Sequence, residues 1–229
     1  MDTHRSQYRL KKKSLNMNKI LNFFFRGINW VVSWKSFKVL PYINRMKLCA
    51  YGIEHGSNCR LIGHCKIIVG MHSHVSIGNN FRLVSSNSFP LSTHKSCIAV
   101  PEGATLKIGN DCGMSSPIIR VRKCIIIGNN VNLGGGVILL DTDSHSLNYL
   151  DRRIGAIDMA NRVDKEIVID DDVLIGANSI ILKGVHIGAR SVIGAGSVVT
   201  KSIPSDCIAA GNPARVIRKI NQDNEATII

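Results

Sequence analysis

Six hexads run without a gap from Ile169 to Pro204: IDDDVL, IGANSI, ILKGVH, IGARSV, IGAGSV and VTKSIP. Aliphatic residues stand at Ile169, Ile175, Ile181, Ile187, Ile193 and Val199, and four places further on come Val173, Ser179, Val185, Ser191, Ser197 and Ile203. A period of six fits no 3.6-residue helix. With Gly176, Gly188 and Gly194 directly after the aliphatic position, it describes very short strands joined by tight turns. Three such strands make one triangular coil, in which each aliphatic side chain points inward and stacks on its counterpart 18 residues away. A single coil leaves its core half exposed, so stability must come from stacking.

The pattern recurs upstream as IGNNVN and LGGGVI from Ile127, and more loosely at Ile77-Gly78 and Ile108-Gly109. The coils therefore extend from about residue 55 to 210. Between Ile67 and Pro204 no stretch has the helical periodicity that an α/β alternative would need. The expected organisation is a basic, amphipathic, helical arm at 1–48, an all-β coil domain at 49–210 with a loop at 141–166, and a tail at 211–229 holding a short C-terminal helix.

These repeats resemble those of the hexapeptide-repeat acyltransferases. That resemblance covers about residues 40–220 and implies a left-handed parallel β-helix, assembled as a homotrimer. Handedness follows from the resemblance alone, since parallel crossovers are normally right-handed. The stretch IPSDCIAAGNPARVIRKI is similar to the segment that ends the coil in acetyl-CoA-dependent members, and WKSFKVLPYINRMKL resembles the segment before the coil in capsule and exopolysaccharide acetyltransferases.

After Leu139 the repeat breaks into the polar run DTDSHSLNYLDRRIGAIDMANRVDKE. Stacking has no use for such an excursion, and a long loop on a rigid solenoid is where chemistry is expected. His145 lies near its start. Acyl transfer from a thioester to an alcohol needs a base working near neutral pH, which imidazole supplies. A neighbouring carboxylate, Asp141 or Asp143, would fix the imidazole tautomer. The segment also resembles the DxDxH stretch that carries the catalytic His in the polysaccharide O-acetyltransferase branch.

Coenzyme A needs cations at its phosphorylated end and open backbone along its pantetheine arm. By resemblance Ala177, Ala195, Thr200, Lys201, Arg215 and Arg218 line that groove, the arginines meeting phosphate as bidentate forks. The run GMSSPIIRV resembles an acceptor-facing stretch, which makes Ser115 and Ser116 candidate substrate contacts, although some sugar-acetylating relatives carry Asn there. No metal is expected, because no two histidines have the HxxxxH spacing of the zinc enzymes that share this fold. The seven cysteines are odd in number and lack CxxC spacing, so they read as buried thiols in a reducing compartment, with Cys112 and Cys124 as core residues.

Lys and Arg number 29 against 16 Asp and Glu, and the imbalance is local: residues 1–48 hold 11 basic and 1 acidic side chain. A basic terminal segment with no nucleic-acid-reading motif argues against nucleic acid as the partner. Phe23, Phe24, Phe25, Trp30 and Trp34 among Lys19, Arg26, Lys35 and Lys38 suit peripheral contact with the inner face of the cytoplasmic membrane. A helix capping the first coil or packing on a neighbouring subunit is the alternative. The resulting expectation is a cytoplasmic, acetyl-CoA-dependent O-acetyltransferase acting on a sugar hydroxyl of a surface polysaccharide or its precursor, by general-base catalysis in a ternary complex. Its rivals are an antibiotic-modifying acetyltransferase and a non-catalytic β-helix binding module.

Overall fold

The structure, a computed structural model, describes residues 21–85 and 95–220. Its body is a prism of three parallel sheets. The first stacks Glu54–His55, His74–Ile77, Thr105–Ile108, Cys124–Ile127, Ile167–Ile169 and His186–Ile187. The second runs from Arg60–Gly63 through Arg82–Ser85, Gly113–Ser115, Asn132–Leu133, Leu174–Ile175 and Val192–Ile193 to Cys207–Gly211. The third holds Lys66–Val69, Cys97–Val100, Ile118–Arg120, Ile138–Leu140, Ile180–Leu182 and Val198–Val199.

The chain visits the sheets in rotation, and the register follows the hexads: Ile169 pairs with Ile187, Ile175 with Ile193 and Ile181 with Val199. Both periodic columns face inward, since all six aliphatic positions and all six positions four places later are buried. Burying one such aliphatic side chain contributes about 1.5–3 kcal/mol, so each coil is held by the apolar floor of the next. The small members of the second column bond to backbone: Ser179 Oγ donates to Gly194 O and Ser191 Oγ to Pro204 O.

Glycine follows the aliphatic position because the coils approach too closely for a side chain there. A Cβ on Gly176 would lie 2.4 Å from the Ala195 nitrogen, and one on Gly134 2.6 Å from that of Ala177. On the corner between the first and second sheets, Asn79, Asn110, Asn129 and Asp171 form a vertical ladder. Each Oδ1 accepts from the backbone N–H of the coil before it.

Residues 21–50 are helical, with one π-turn at Lys35–Val39 ahead of the α-helix Leu40–Ala50. Ser36, Leu40, Asn44 and Leu48 are buried on the first coil. Asn44 Nδ2 donates to Leu61 O and Gly63 O, and Lys47 Nζ to Cys65 O, so this half of the helix covers carbonyls at the start of the prism. The rest of the basic arm, residues 1–20, lies outside the described residues. The end of the chain corrects one expectation: up to residue 220 there is no C-terminal helix. Cys207–Gly211 turns back at Asn212-Pro213 and pairs antiparallel with Ala214–Lys219, because the pairing satisfies a sheet edge that a helix would leave open. Residues 221–229 lie outside the described part.

Candidate active site

The excursion leaves the coil after Leu140 and returns at Ile167, at the corner between the third and first sheets. Its two limbs close on each other: Asp143 N donates to Val163 O, Lys165 N to Asp141 O, and Thr142 faces Asp164 in an antiparallel bridge. Asp141 anchors this neck. It is buried, and its carboxylate accepts the backbone N–H groups of Arg122, Lys123 and Cys124 at 2.7–2.9 Å. Burial pushes its carboxyl above the usual range, and the three donors pull against that shift.

Above the neck the loop is tied together by its own side chains. Asp151 Oδ2 accepts from Ser146 Oγ and Asn161 Nδ2, Arg152 Nη1 donates to Ser146 O, and a short helix spans Gly155–Asn161. One turn of that helix brings Asp158 to His145. The distance from Asp158 Oδ2 to His145 Nδ1 is 2.6 Å, and Asp158 Oδ1 accepts from Ser146 N. Those donors hold the Asp158 carboxyl below its ordinary range. A carboxylate only accepts, so Nδ1 carries a proton, and in the neutral ring the lone pair is on Nε2. The His145 side chain is 65% exposed and that of Asp158 9%. The pair therefore offers a basic nitrogen to solvent with a screened acid behind it.

Two expectations are corrected here. Neither Asp141 nor Asp143 touches His145: Asp141 is spent on three backbone donors, and Asp143 Oδ1 pairs with Lys183 Nζ at 2.9 Å. The orienting acid is Asp158, 13 residues along the loop. Sequence reading missed it because its contact depends on how the loop closes. The only signal was that the same polar excursion holds further acids beyond Asp141 and Asp143, namely Asp151, Asp158, Asp164 and Glu166.

The other candidate residues gather at the two edges of the third sheet. On the corner that enters it, the register places Ser116, Gly135, Ala177 and Ala195 in one column, extended from the pairings Leu133 with Met114, Leu133 with Ile175 and Ile175 with Ile193. The members of the column are small, and they run from buried Ser116 and Gly135 to half-buried Ala177 and exposed Ala195. Ser116 itself is buried with φ 46°, its N–H donating to Val84 O. Arg215 lies opposite Ala210 in the terminal hairpin, and Arg218 opposite Ile208. These put cations beside the last step of the column. Thr200 and Lys201, both exposed, stand on the corner that leaves the third sheet, directly above Leu182 and Lys183.

His145 shares the corner of Thr200 and Lys201, whereas Ser115 and Ser116 share that of Ala177 and Ala195. One chain therefore brings the base and the serines to opposite edges. The residues fit coenzyme A: a column of small residues for the pantetheine arm, and arginines at its end for phosphate. Among the described residues no group of three His, Cys, Asp or Glu side chains could hold a metal. Burial raises the pKa of Cys112 and Cys124, and pushes Cys59 to about 11 and Cys65 to about 12.

Residues 166–201 match the family model described as the hexapeptide repeat of succinyl-transferase. Over 103 residues the chain is 43% identical to a galactoside O-acetyltransferase of Lactococcus lactis, covering 45% of this chain and 47% of that one. It thus spans about half the length of the curated relatives it matches. Among solved structures, it is 27% identical to a hexapeptide-repeat-containing acetyltransferase of Vibrio cholerae, with TM-score 0.52, over 86% of this chain and 91% of that one. It is 26% identical to a galactoside acetyltransferase in complex with coenzyme A, with TM-score 0.53, over 85% and 80%. The chain carries the hexapeptide repeat and shares the fold of these solved acetyltransferases, and its prism is a left-handed parallel β-helix.

Proposed function

We propose that this protein is an acetyl-CoA-dependent O-acetyltransferase whose acceptor is a sugar hydroxyl of a surface polysaccharide or its precursor. The observation that carries the reading is the His145–Asp158 pair, with a basic nitrogen exposed on a loop that the coil does not need. Acetyl-CoA supplies the thioester carbonyl. His145 Nε2 takes the proton of the acceptor hydroxyl as its oxygen bonds to that carbonyl carbon. The imidazolium, stabilised by Asp158, then returns the proton to the sulfur as the carbon–sulfur bond breaks. No acyl-enzyme is required.

A homotrimer fits this chemistry. In one chain the base and the small-residue column occupy opposite edges of a sheet, and a neighbouring copy would bring its column to this chain's His145. The loop also presents exposed Leu147, Tyr149, Leu150, Ile154 and Met159, an apolar surface suited to a neighbour. The sugar acceptor is supported by the names of the relatives, a galactoside O-acetyltransferase and a galactoside acetyltransferase bound to coenzyme A.

The experiment is thiol release from acetyl-CoA with a panel of sugars, oligosaccharides, nucleotide sugars, simple amines and antibiotic alcohols. Release with a sugar that His145→Ala abolishes, while coenzyme A still binds, is the expected result. Release that survives in His145→Ala, or that follows only an antibiotic or an amine, overturns the base or the acceptor respectively.

A further inference from the structure

The helix over residues 21–34 is the part of the molecule that the coil leaves uncovered, and the pattern of its side chains is informative. Asn22, Arg26, Asn29 and Ser33 follow one another at helical spacing and form a single polar stripe. That stripe runs on into Ser36, Leu40, Asn44 and Leu48, the residues seated on the first coil. The polar side of the outer half therefore continues the inner half's line of attachment, and everything else on the outer half faces away from the body. What faces away is apolar. Phe23 is 82% exposed and Trp30 67%, with Phe24, Phe25, Val31 and Trp34 also open.

We propose that Leu21–Trp34 is an interfacial anchor that lays this protein on an anionic lipid surface. Charge decides between lipid and a second copy of the helix. Residues 21–50 carry Arg26, Lys35, Lys38, Arg45 and Lys47 and no acidic side chain, and Lys11, Lys12, Lys13 and Lys19 precede them in the sequence. Copies of this helix packed on one another would bring like charges together with no partner, whereas an anionic surface neutralises them. Tryptophan and phenylalanine flanked by cations match the headgroup boundary, where an aromatic ring rests among acyl chains and a basic group meets phosphate. Among the described residues no helix is long and apolar enough to cross a membrane, so the helix lies along the surface. This contact stands independently of the acetyl transfer proposed above.

The chain contains two tryptophans, Trp30 and Trp34, both in this helix, so tryptophan emission reports on it directly. The full chain would be mixed with vesicles of phosphatidylcholine alone, or of phosphatidylcholine with phosphatidylglycerol, followed by sedimentation and emission spectra at low and high salt. Each Lys or Arg at an anionic surface strengthens binding about fivefold, so phosphatidylglycerol is expected to raise binding by more than tenfold, with a blue-shifted emission and loss of binding in high salt. Phe23→Ser with Trp30→Ser, and separately Arg26→Glu with Lys35→Glu and Lys38→Glu, should each abolish sedimentation. Thermal midpoint and circular dichroism should stay unchanged, because all of these side chains are exposed.

Three results overturn the proposal. No sedimentation at low salt removes the anchor. Equal binding to both vesicle types removes the requirement for anionic lipid. Emission that is already blue without lipid, turning red in Phe23→Ser together with a smaller assembly, shows a second copy covering the helix.

Discussion

His145 and Asp158 meet at 2.6 Å across a loop that departs from and returns to the same corner of the prism. The imidazole is thus oriented by the far side of its own excursion, and the coil supplies only the two ends. Replacing Asp158 by Asn keeps the volume but removes the charge that sets the tautomer. Turnover should fall by about 100- to 10,000-fold with the loop still folded. Asp143→Asn, which touches Lys183 instead, should change turnover only slightly. Steady-state rates with one acceptor decide between them, and equal losses in the two variants would reject Asp158 as the positioning residue.

Acid should loosen the loop before the coil. The carboxyls of Asp158 and Asp151 are held below their usual range, chiefly by the donors His145 and Ser146 respectively. A group whose folded pKa is depressed contributes stability that is complete above its unfolded pKa, about 4, and lost as pH falls through the folded value. Amide hydrogen exchange across residues 144–161 should therefore stay slow down to about pH 4 and quicken below it. In Asp158→Asn that acid dependence should shrink. A profile equally steep in the variant would show that other groups hold the loop.

Asp141→Asn tests the neck. An amide offers one acceptor where the carboxylate used two, and its NH2 group would face the N–H donors of Arg122, Lys123 and Cys124 in the preceding coil. A buried donor left without a partner costs about 1–3 kcal/mol. A drop of that order in unfolding free energy is expected by denaturant titration. Burial already raises the Asp141 pKa, so the native carboxylate is held against its own desolvation and only the three donors justify it.

Two glycines should respond in opposite ways to alanine. Gly176→Ala puts a Cβ 2.4 Å from the backbone of the next coil and should destabilise by about 1–3 kcal/mol. Gly155→Ala meets nothing within 4 Å at the start of a helix, and should be neutral or stabilising by up to about 1 kcal/mol. Thermal denaturation of both variants provides the measurement.

Coenzyme A affinity should fall with rising salt, because Lys201, Arg215 and Arg218 are exposed and their attraction for phosphate is screened. Replacing all three by Ala should weaken coenzyme A more than dephosphorylated coenzyme A in equilibrium binding. Equal weakening would place them away from the adenosine phosphate.

The coil was legible from sequence because a fixed register forces periodicity: whatever stacks at Ile169, Ile187 and Val173 must be small or aliphatic, and nothing distant can change that. His145 stood out for a related reason, as an imidazole in a stretch the repeat could not accommodate. Its hydrogen-bond partner did not. Asp143 stood two residues away, Asp141 four and Asp158 13, and sequence proximity favoured the wrong ones. Only the neck and the short helix, both products of tertiary closure, decide which acid reaches the ring. The terminal hairpin escaped for a similar reason, since ARVIRK alternates weakly and its strand character comes from the edge it covers.

The neck has a consequence for how such a chain can change over generations. Ile127 pairs with Ile169 in the same register as if the excursion did not exist, because the loop enters and leaves at one corner. Residues can be added to it, removed from it or exchanged with those of another lineage without re-indexing a single strand. A duplication that lengthened the coil would carry no loop of its own unless it included this corner. The coil and the loop are thus separately heritable, and under the function proposed above new acceptor preferences would arise by variation in a segment that leaves every strand pairing in place.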